Sequence, residues 1–165
     1  MNTALYSPED VTILLGGIYQ IEGLAEGSFI TISDGNPRWK TSVTADGKVS
    51  RTHVKSVTHD VTITVMSTAD VNNIFSAWVG ADGLLYGAML PLFIKDSMGT
   101  SLFYAPLSWV ETTPDTDYDV STNTRQWTIK TAGGTNVVGG NGQGGIIDTN
   151  LVALGLISAD FGGLF

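Results

Sequence analysis

Cysteine is absent from this 165-residue chain, which excludes disulfides and thiolate metal sites. Basic residues are scarce. Eight Lys and Arg stand against sixteen Asp and Glu, a formal charge of −8, whereas a sequence-independent nucleic-acid binder needs a net basic footprint. Histidine occurs twice, and on a continuous strand His53 and His59 would lie about 20 Å apart at ~3.3 Å per residue, too far to share a metal ion. Long apolar runs are also missing. The longest, GLLYGAMLPLFI at 83–94, is too short to span a bilayer and is interrupted by Pro91. The opening MNTALYSPED has neither a basic n-region nor an apolar h-region, so a soluble protein made and kept in a cytoplasm is expected. Tandem repeats and a clear domain boundary are lacking too, and the length fits a single domain, 1–165.

Catalytic signatures are equally sparse. No G-x-S-x-G, H-E-x-x-H or Walker pattern is present. GNGQGG at 140–145 matches G-x-G-x-x-G, but it lies near the C-terminus rather than between a strand and a helix of a βαβ unit, and reads as a flexible loop. Asp115, Asp117 and Asp119 resemble the start of an EF-hand loop, yet Val120 stands where Gly is required and Gln126 where Glu is required, so an acidic surface turn fits better. No nucleophile is paired with a base. The expectation is therefore a protein that is not an enzyme and uses no cofactor or metal.

What is present is β-structure. Val11, Ile13 and Leu15 alternate before Gly16-Gly17, and Phe29, Ile30 and Ile32 follow a Gly-punctuated stretch. In 56–65, Val57, His59, Val61, Ile63 and Val65 point to one side of a strand and Ser56, Thr58, Asp60, Thr62 and Thr64 to the other. The rhythm then changes. Ser67 or Thr68 is placed to cap a helix over about 68–79, whose Val71, Ile74, Phe75, Trp78 and Val79 form one apolar face and which Gly80 would stop. One such helix can cover an open side of a β-sandwich or barrel. Further strands are expected in GLLYGAMLPLFIKD, in TSLFYAPLSWVE after a turn at Ser97-Met98-Gly99, and in TRQWTIKTA after an acidic loop. The tail from residue 133 is Gly-rich and loop-like, then mildly apolar.

The charge is unevenly spread. Between residues 34 and 60 lie Arg38, Lys40, Lys48, Arg51 and Lys55 but only Asp34, Asp46 and Asp60, a net +2 against −10 elsewhere. The segment is polar and strand-like on both sides of Asp46-Gly47, a dipeptide suited to a type I′ hairpin turn. Such a long hairpin has little core of its own. It is either a solvated projection or a basic arm docking on an acidic surface of an identical neighbour. A polar strand face rich in Thr suits a sheet wetted on one side, and closed rings of subunits remove exposed edges by pairing them.

Taken in order, PEDVTILLGGIYQIEGLAEGSFITI, the Ser/Thr-rich hairpin turning at ADGKVSR, VTITVMSTADVNNIFSAW with its single helix, and LPLFIKDSMGTSLFYAPLSWV resemble the tail tube proteins of contractile-tailed bacteriophages over most of residues 7–130. The resemblance implies a mainly β fold: a β-sandwich or partial barrel of two antiparallel sheets, a flanking helix, and a hairpin over about 34–60 reaching into the adjacent ring. It also implies hexameric rings stacked into a tube for genome ejection inside a contractile sheath. Expected partners are further copies of the chain, the sheath, baseplate and tail-terminator proteins, and double-stranded DNA in transit; membrane insertion is not expected. The place would be the virion tail, after assembly in the host cytoplasm. On this view Ser56, Thr58, Asp60, Thr62 and Thr64 face the lumen, with Val57, Val61, Ile63 and Val65 in the subunit core. Arg38, Trp39, Lys40, Lys48 and Arg51 make inter-ring contacts, and the segment 133–165 is an inter-subunit arm. Two alternatives stay open: the tube of a non-viral contractile injection or secretion system, and a monomeric carbohydrate-binding β-sandwich using Trp39, Trp109 or Trp127 on an exposed face.

Overall fold

The computed structural model describes residues 6–140. After a short 3-10 turn at Pro8–Asp10 the chain forms β1 (Val11–Leu15), β2 (Tyr19–Gln20) and β3 (Ile30–Asp34). β4 (Trp39–Val43) and β5 (Val49–His53) follow, then β6 (Thr58–Met66) and α1 (Val71–Leu85). The chain continues through β7 (Leu90–Asp96), β8 (Leu102–Thr112), β9 (Thr124–Ala132) and β10 (Thr135–Val137). The class is the expected one: mainly β, with a large antiparallel sheet, a second small sheet and, among the described residues, one α-helix.

Hydrogen bonding in the large sheet runs in one path, β2-β1-β7-β8-β9-β6-β3, with β10 also on β8. The path curls back on itself because the chain between β2 and β3 bridges its two ends. Ile21 N–H donates to Ile13 on β1, while Met66 N–H on β6 donates to Gly23 and Ala25 N–H donates to Thr64 on β6. This is a partial barrel. Farther along the seam, β1 and β3 stand apart across an open groove of about 370 Å³. The small sheet is β4 and β5 alone, bonded to no strand of the large one.

The inner face of the curl is the core. β6 alternates strictly, with His59, Val61, Ile63 and Val65 buried between half-buried neighbours. Ile13, Leu15, Leu92, Ile94, Phe103, Trp127 and Ile129 join them from adjoining strands. α1 covers the open side with Val71, Phe75 and Trp78, and Phe75 packs on Trp127 at 5.2 Å between ring centroids.

The helix lies later and runs longer than 68–79. Neither Ser67 nor Thr68 caps it, and Asp70 occupies the N-cap position without a side-chain hydrogen bond. Asn72 shapes this end instead: its amide N–H group donates to the Met66 and Ala69 carbonyls, and its Oδ1 accepts from Trp127 Nε1 at 3.0 Å. Asn72 therefore sits on the buried face, while Ile74 is 38% exposed. Gly80 does not stop the helix. A glycine costs only about 1 kcal/mol inside a helix, and Gly80 faces open space. The end comes at Tyr86, in the left-handed region at φ 50°, and Asp82 collects the loose backbone there by accepting from the N–H groups of Tyr86 and Ala88. Residues 83–85, expected in a strand, consequently belong to the helix, and β7 starts at Leu90.

The hairpin turn also differs from type I′, which needs positive φ at both central residues. Here Gly47 (φ 81°) has it and Asp46 does not. Gly47 N–H donates to Thr44 and Thr44 N–H donates to Lys48, a three-residue loop with glycine at its left-handed position. At the other Gly-rich site, Gly133 and Gly134 carry the chain straight from β9 into β10 along β8. A Cβ on Gly134 would lie 2.3 Å from the Tyr104 carbonyl oxygen, so this close backbone approach requires glycine. The first residues of the expected arm are thus part of the sheet, and 141–165, with most of GNGQGG, lie outside the described residues.

Candidate functional site: a threonine face and a basic hairpin

The outer face of β6 carries Thr58, Asp60, Thr62 and Thr64, all half-buried between flanking strands. Ser56 does not join them: it precedes the strand in the link from the hairpin. Val57, expected in the core, is 43% exposed for the same reason, since the ladder that orients side chains begins at Thr58. Register extends the face across the sheet. Thr62 pairs with Thr31 on β3 and with Thr128 on β9, and Thr128 pairs with Thr112 on β8. Four threonines therefore form one row across four strands. Ser33 lies beside Asp60 and Gln126 beside Thr64.

One charge pair interrupts the hydroxyls. Asp60 faces Lys130 in register, and their charged atoms lie 3.2 Å apart. An exposed carboxylate would repel a polyanion and a free ammonium would hold it; paired, the two leave this part of the face neutral. Thr31, Ser33, Thr112, Gln126, Thr128 and Lys130 were missed in the reading of 56–65. The signal for Gln126, Thr128 and Lys130 is the same period of two in TRQWTIKTA, and for Thr31 and Ser33 the alternation in ITIS, but only strand order shows that these runs are neighbours of β6.

Behind the face, His59 is enclosed. Its Nε2 lies 3.4 Å from an Asp34 carboxylate oxygen, its Nδ1 lies 3.5 Å from Thr131 Oγ1, and its ring meets Phe103 edge-on. Asp34 ends β3 where the hairpin departs, so this contact anchors the hairpin base to the core.

Residues 35–53 are exposed throughout. Within the hairpin, Trp39 packs against its cross-strand partner His53, ring centroids 4.9 Å apart and tilted by 57°, and the Arg51 guanidinium lies 4.2 Å over the Trp39 ring. Trp39 is thereby folded onto its own hairpin yet remains 46% exposed. Lys40 falls on the opposite side, by the alternation of the strand, with Ser42 bonded to Ser50 at 2.7 Å, and Arg38 precedes the strand. Lys48 sits in the turn, 3.6 Å from Asp46, whose carboxyl is held below its ordinary pKa chiefly by the Thr44 hydroxyl. The expected contact residues thus split among two faces and a turn.

The tryptophans do not form a shared platform. Trp127 is buried under α1, Trp109 is half-buried with its Nε1 on Glu111, and Trp39 is on the hairpin. Among the described residues, no three His, Cys, Asp or Glu side chains converge to hold a metal ion, Asp115, Asp117 and Asp119 included. No described helix is long and apolar enough to cross a membrane.

No family model matches the chain. Over 146 residues it is 24% identical to structural protein ORF10 of Pseudomonas phage KPP10, covering 84% of this chain and 84% of that protein. Solved structures that share its fold include the following two. A chain of the tube-terminating cap of the anti-feeding prophage superposes with a TM-score of 0.50 at 13% identity, over 84% of this chain and 96% of the other. A chain of the native gene transfer agent virion superposes with a TM-score of 0.54 at 12% identity, over 81% and 100%. The chain is thus similar to a phage structural protein and carries a fold found in tube-capping and virion components.

Proposed function

We propose that this protein is a structural subunit of a phage tail or of a related contractile particle, with no catalytic turnover. Its copies join side by side into a ring, hexameric by the family resemblance, and rings stack into a tube. The threonine row across β3, β6, β9 and β8 carries this reading. It is a broad sheet face that is neither apolar enough to seek a protein core nor charged enough to bind a polyanion. A bore lined with free Lys or Arg would hold DNA phosphates through counterion release. Hydrated hydroxyls with a neutralised Asp60–Lys130 pair let the duplex pass. Among the described residues β2 and β3 end the sheet path, and strand pairing between subunits at these ends closes the ring without leaving a template for aggregation.

On this reading Thr58, Asp60, Thr62 and Thr64 line the lumen, and Arg38, Trp39, Lys40, Lys48 and Arg51 reach the next ring. Sheath, baseplate and terminator proteins are the outer partners, and the virion tail, assembled in the host cytoplasm, is the place. Electron microscopy of the purified chain tests the assembly: rings or tubes are expected, and an isolated globule at every concentration would contradict it. Thr58→Lys together with Thr62→Lys tests the bore. Assembly should persist while DNA release falls, and normal infectivity of particles carrying the pair would refute the lumen assignment.

A second reading is favoured by the fold shared with a tube-terminating cap. A terminating subunit would stop at single rings that bind tube ends, whereas a repeating tube subunit polymerises without a fixed length.

A further inference from the structure

We infer that the open groove between β1 and β3 is the seat of residues 146–157 of the same chain, which cover the core there. The inner face of the sheet is incomplete at this seam. Ile30 and Ile32 on β3 pair in register with Ile63 and Val61 on β6, so all four face inward. Ile63 and Val61 are completely buried, whereas Ile30 and Ile32 are only half-buried and line the groove. Ile94 and Phe103 line it too, so it opens directly onto the core. Asp96 is the one charged side chain among its described lining residues, and its carboxylate already accepts from the Met98 N–H group. The occupant that fits is therefore apolar.

The described chain leaves at the rim of this groove. β10 ends at Val137, and both Val137 and the exposed Val138 line the opening. Gly139 N–H then donates to the Ser101 hydroxyl, and the Gly140 carbonyl accepts from Thr100 N–H. A Cβ on Gly139 would collide with Thr100, so this close approach to the turn between β7 and β8 requires glycine. Residues 141–145, NGQGG, follow. They can span at most about 17 Å, at ~3.4 Å per residue. Next comes IIDTNLVALGLI at 146–157, with Asp148 as its one charge. A tether this short holds the apolar stretch at an effective concentration on the order of mM, so its own groove outcompetes that of a neighbour in dilute protein. The segment expected as an inter-subunit arm is thereby assigned to its own subunit, whether or not the copies stack.

The lack of native cysteine allows the seat to be mapped in the full chain. Ile32→Cys is combined in turn with Leu151→Cys, Leu154→Cys or Ile157→Cys, in dilute protein whose thermal melt shows that it folds. Non-reducing electrophoresis follows oxidation. At least one of the three pairs should close a disulfide within the chain at least about tenfold faster than Ile32→Cys with Val49→Cys, a control on the exposed hairpin. Closure no faster than the control in all three pairs overturns the assignment. So do disulfides that form between chains, which would place a neighbour's segment in the groove. Fastest closure with Ala4→Cys also overturns it, because the stretch before Tyr6, another lining residue, would then be the occupant. A second measurement needs no cysteine. Leu151→Asp together with Leu154→Asp should raise the fluorescence of an apolar dye at least about threefold as the groove is uncovered, and amide exchange in β3 should speed up. Unchanged dye binding and unchanged exchange would overturn the assignment independently.

Discussion

Five residues of β4 face five of β5, and all ten are exposed; nine residues of β6 face nine of β9, and every second one on each strand's inner side is buried at its centre. The same backbone pattern therefore serves two purposes. In the body it aligns apolar side chains so that one helix can seal them. In the hairpin it aligns Trp39, Arg51 and His53 on one side and Lys40, Ser42 and Ser50 on the other, with nothing to seal. Cross-strand pairs contribute about 0.2–1 kcal/mol each, so two strands of five residues are marginal by themselves. The body folds on its own contacts, whereas the hairpin is exposed on both faces, and the proposed assembly is what would give it a second surface.

The sharpest way to break that contrast is to damage the body. Phe75→Ala removes a ring packed between Trp78 and Trp127 and should cost about 3–5 kcal/mol in denaturant unfolding. Trp127→Phe keeps most of the packing but leaves Asn72 Oδ1 without its buried donor, an expected loss of about 1–3 kcal/mol by the same measurement. The hairpin counterpart, Trp39→Ala, should change global stability by no more than about 0.5 kcal/mol, while amide exchange in β4 and β5 speeds up and stacked assembly is lost. Equal destabilisation by Trp39→Ala and Trp127→Phe would erase the distinction between the two regions.

The smallest effect is electrostatic and local. Asp46 titrates below an ordinary carboxyl because the Thr44 hydroxyl bonds to its charged form. Its support of the turn is therefore present above the ordinary carboxylate range and is lost as pH falls through the lowered value. Thr44→Ala should move the Asp46 titration, followed by NMR, back up, with no change in the unfolding of the body.

The two regions were also unequally legible. β9 was expected at the residues it occupies, and the core side of β6 from Val61 to Val65 follows from a strict period of two. The hairpin segment stood out by charge. What failed lay at boundaries governed by tertiary contacts. Gly80 reads as a stop, but the end of α1 is set by Asp82 gathering the backbone of Tyr86 and Ala88. Ile74 was expected on the apolar face, but Asn72 is buried there instead, because Trp127, fifty-five residues away, supplies its partner. Lys130 reads as one more exposed cation until strand order sets it opposite Asp60. The threonine face was half visible for the same reason: periodicity tells which residues share a side of one strand, and only pairing tells which strands share a wall.

The threonine wall as the surface of a bore is the central claim, and the absence of cysteine offers a direct probe of it. Thr62→Cys introduces a single thiol at the middle of the row. Labelling of assembled particles with a small maleimide and with a bulky polymer-linked maleimide should diverge: the small reagent reacts through the open ends, and the bulky one is excluded until the particles are dissociated. Equal reaction with both reagents in intact particles would put Thr62 on the outer circumference and contradict the account.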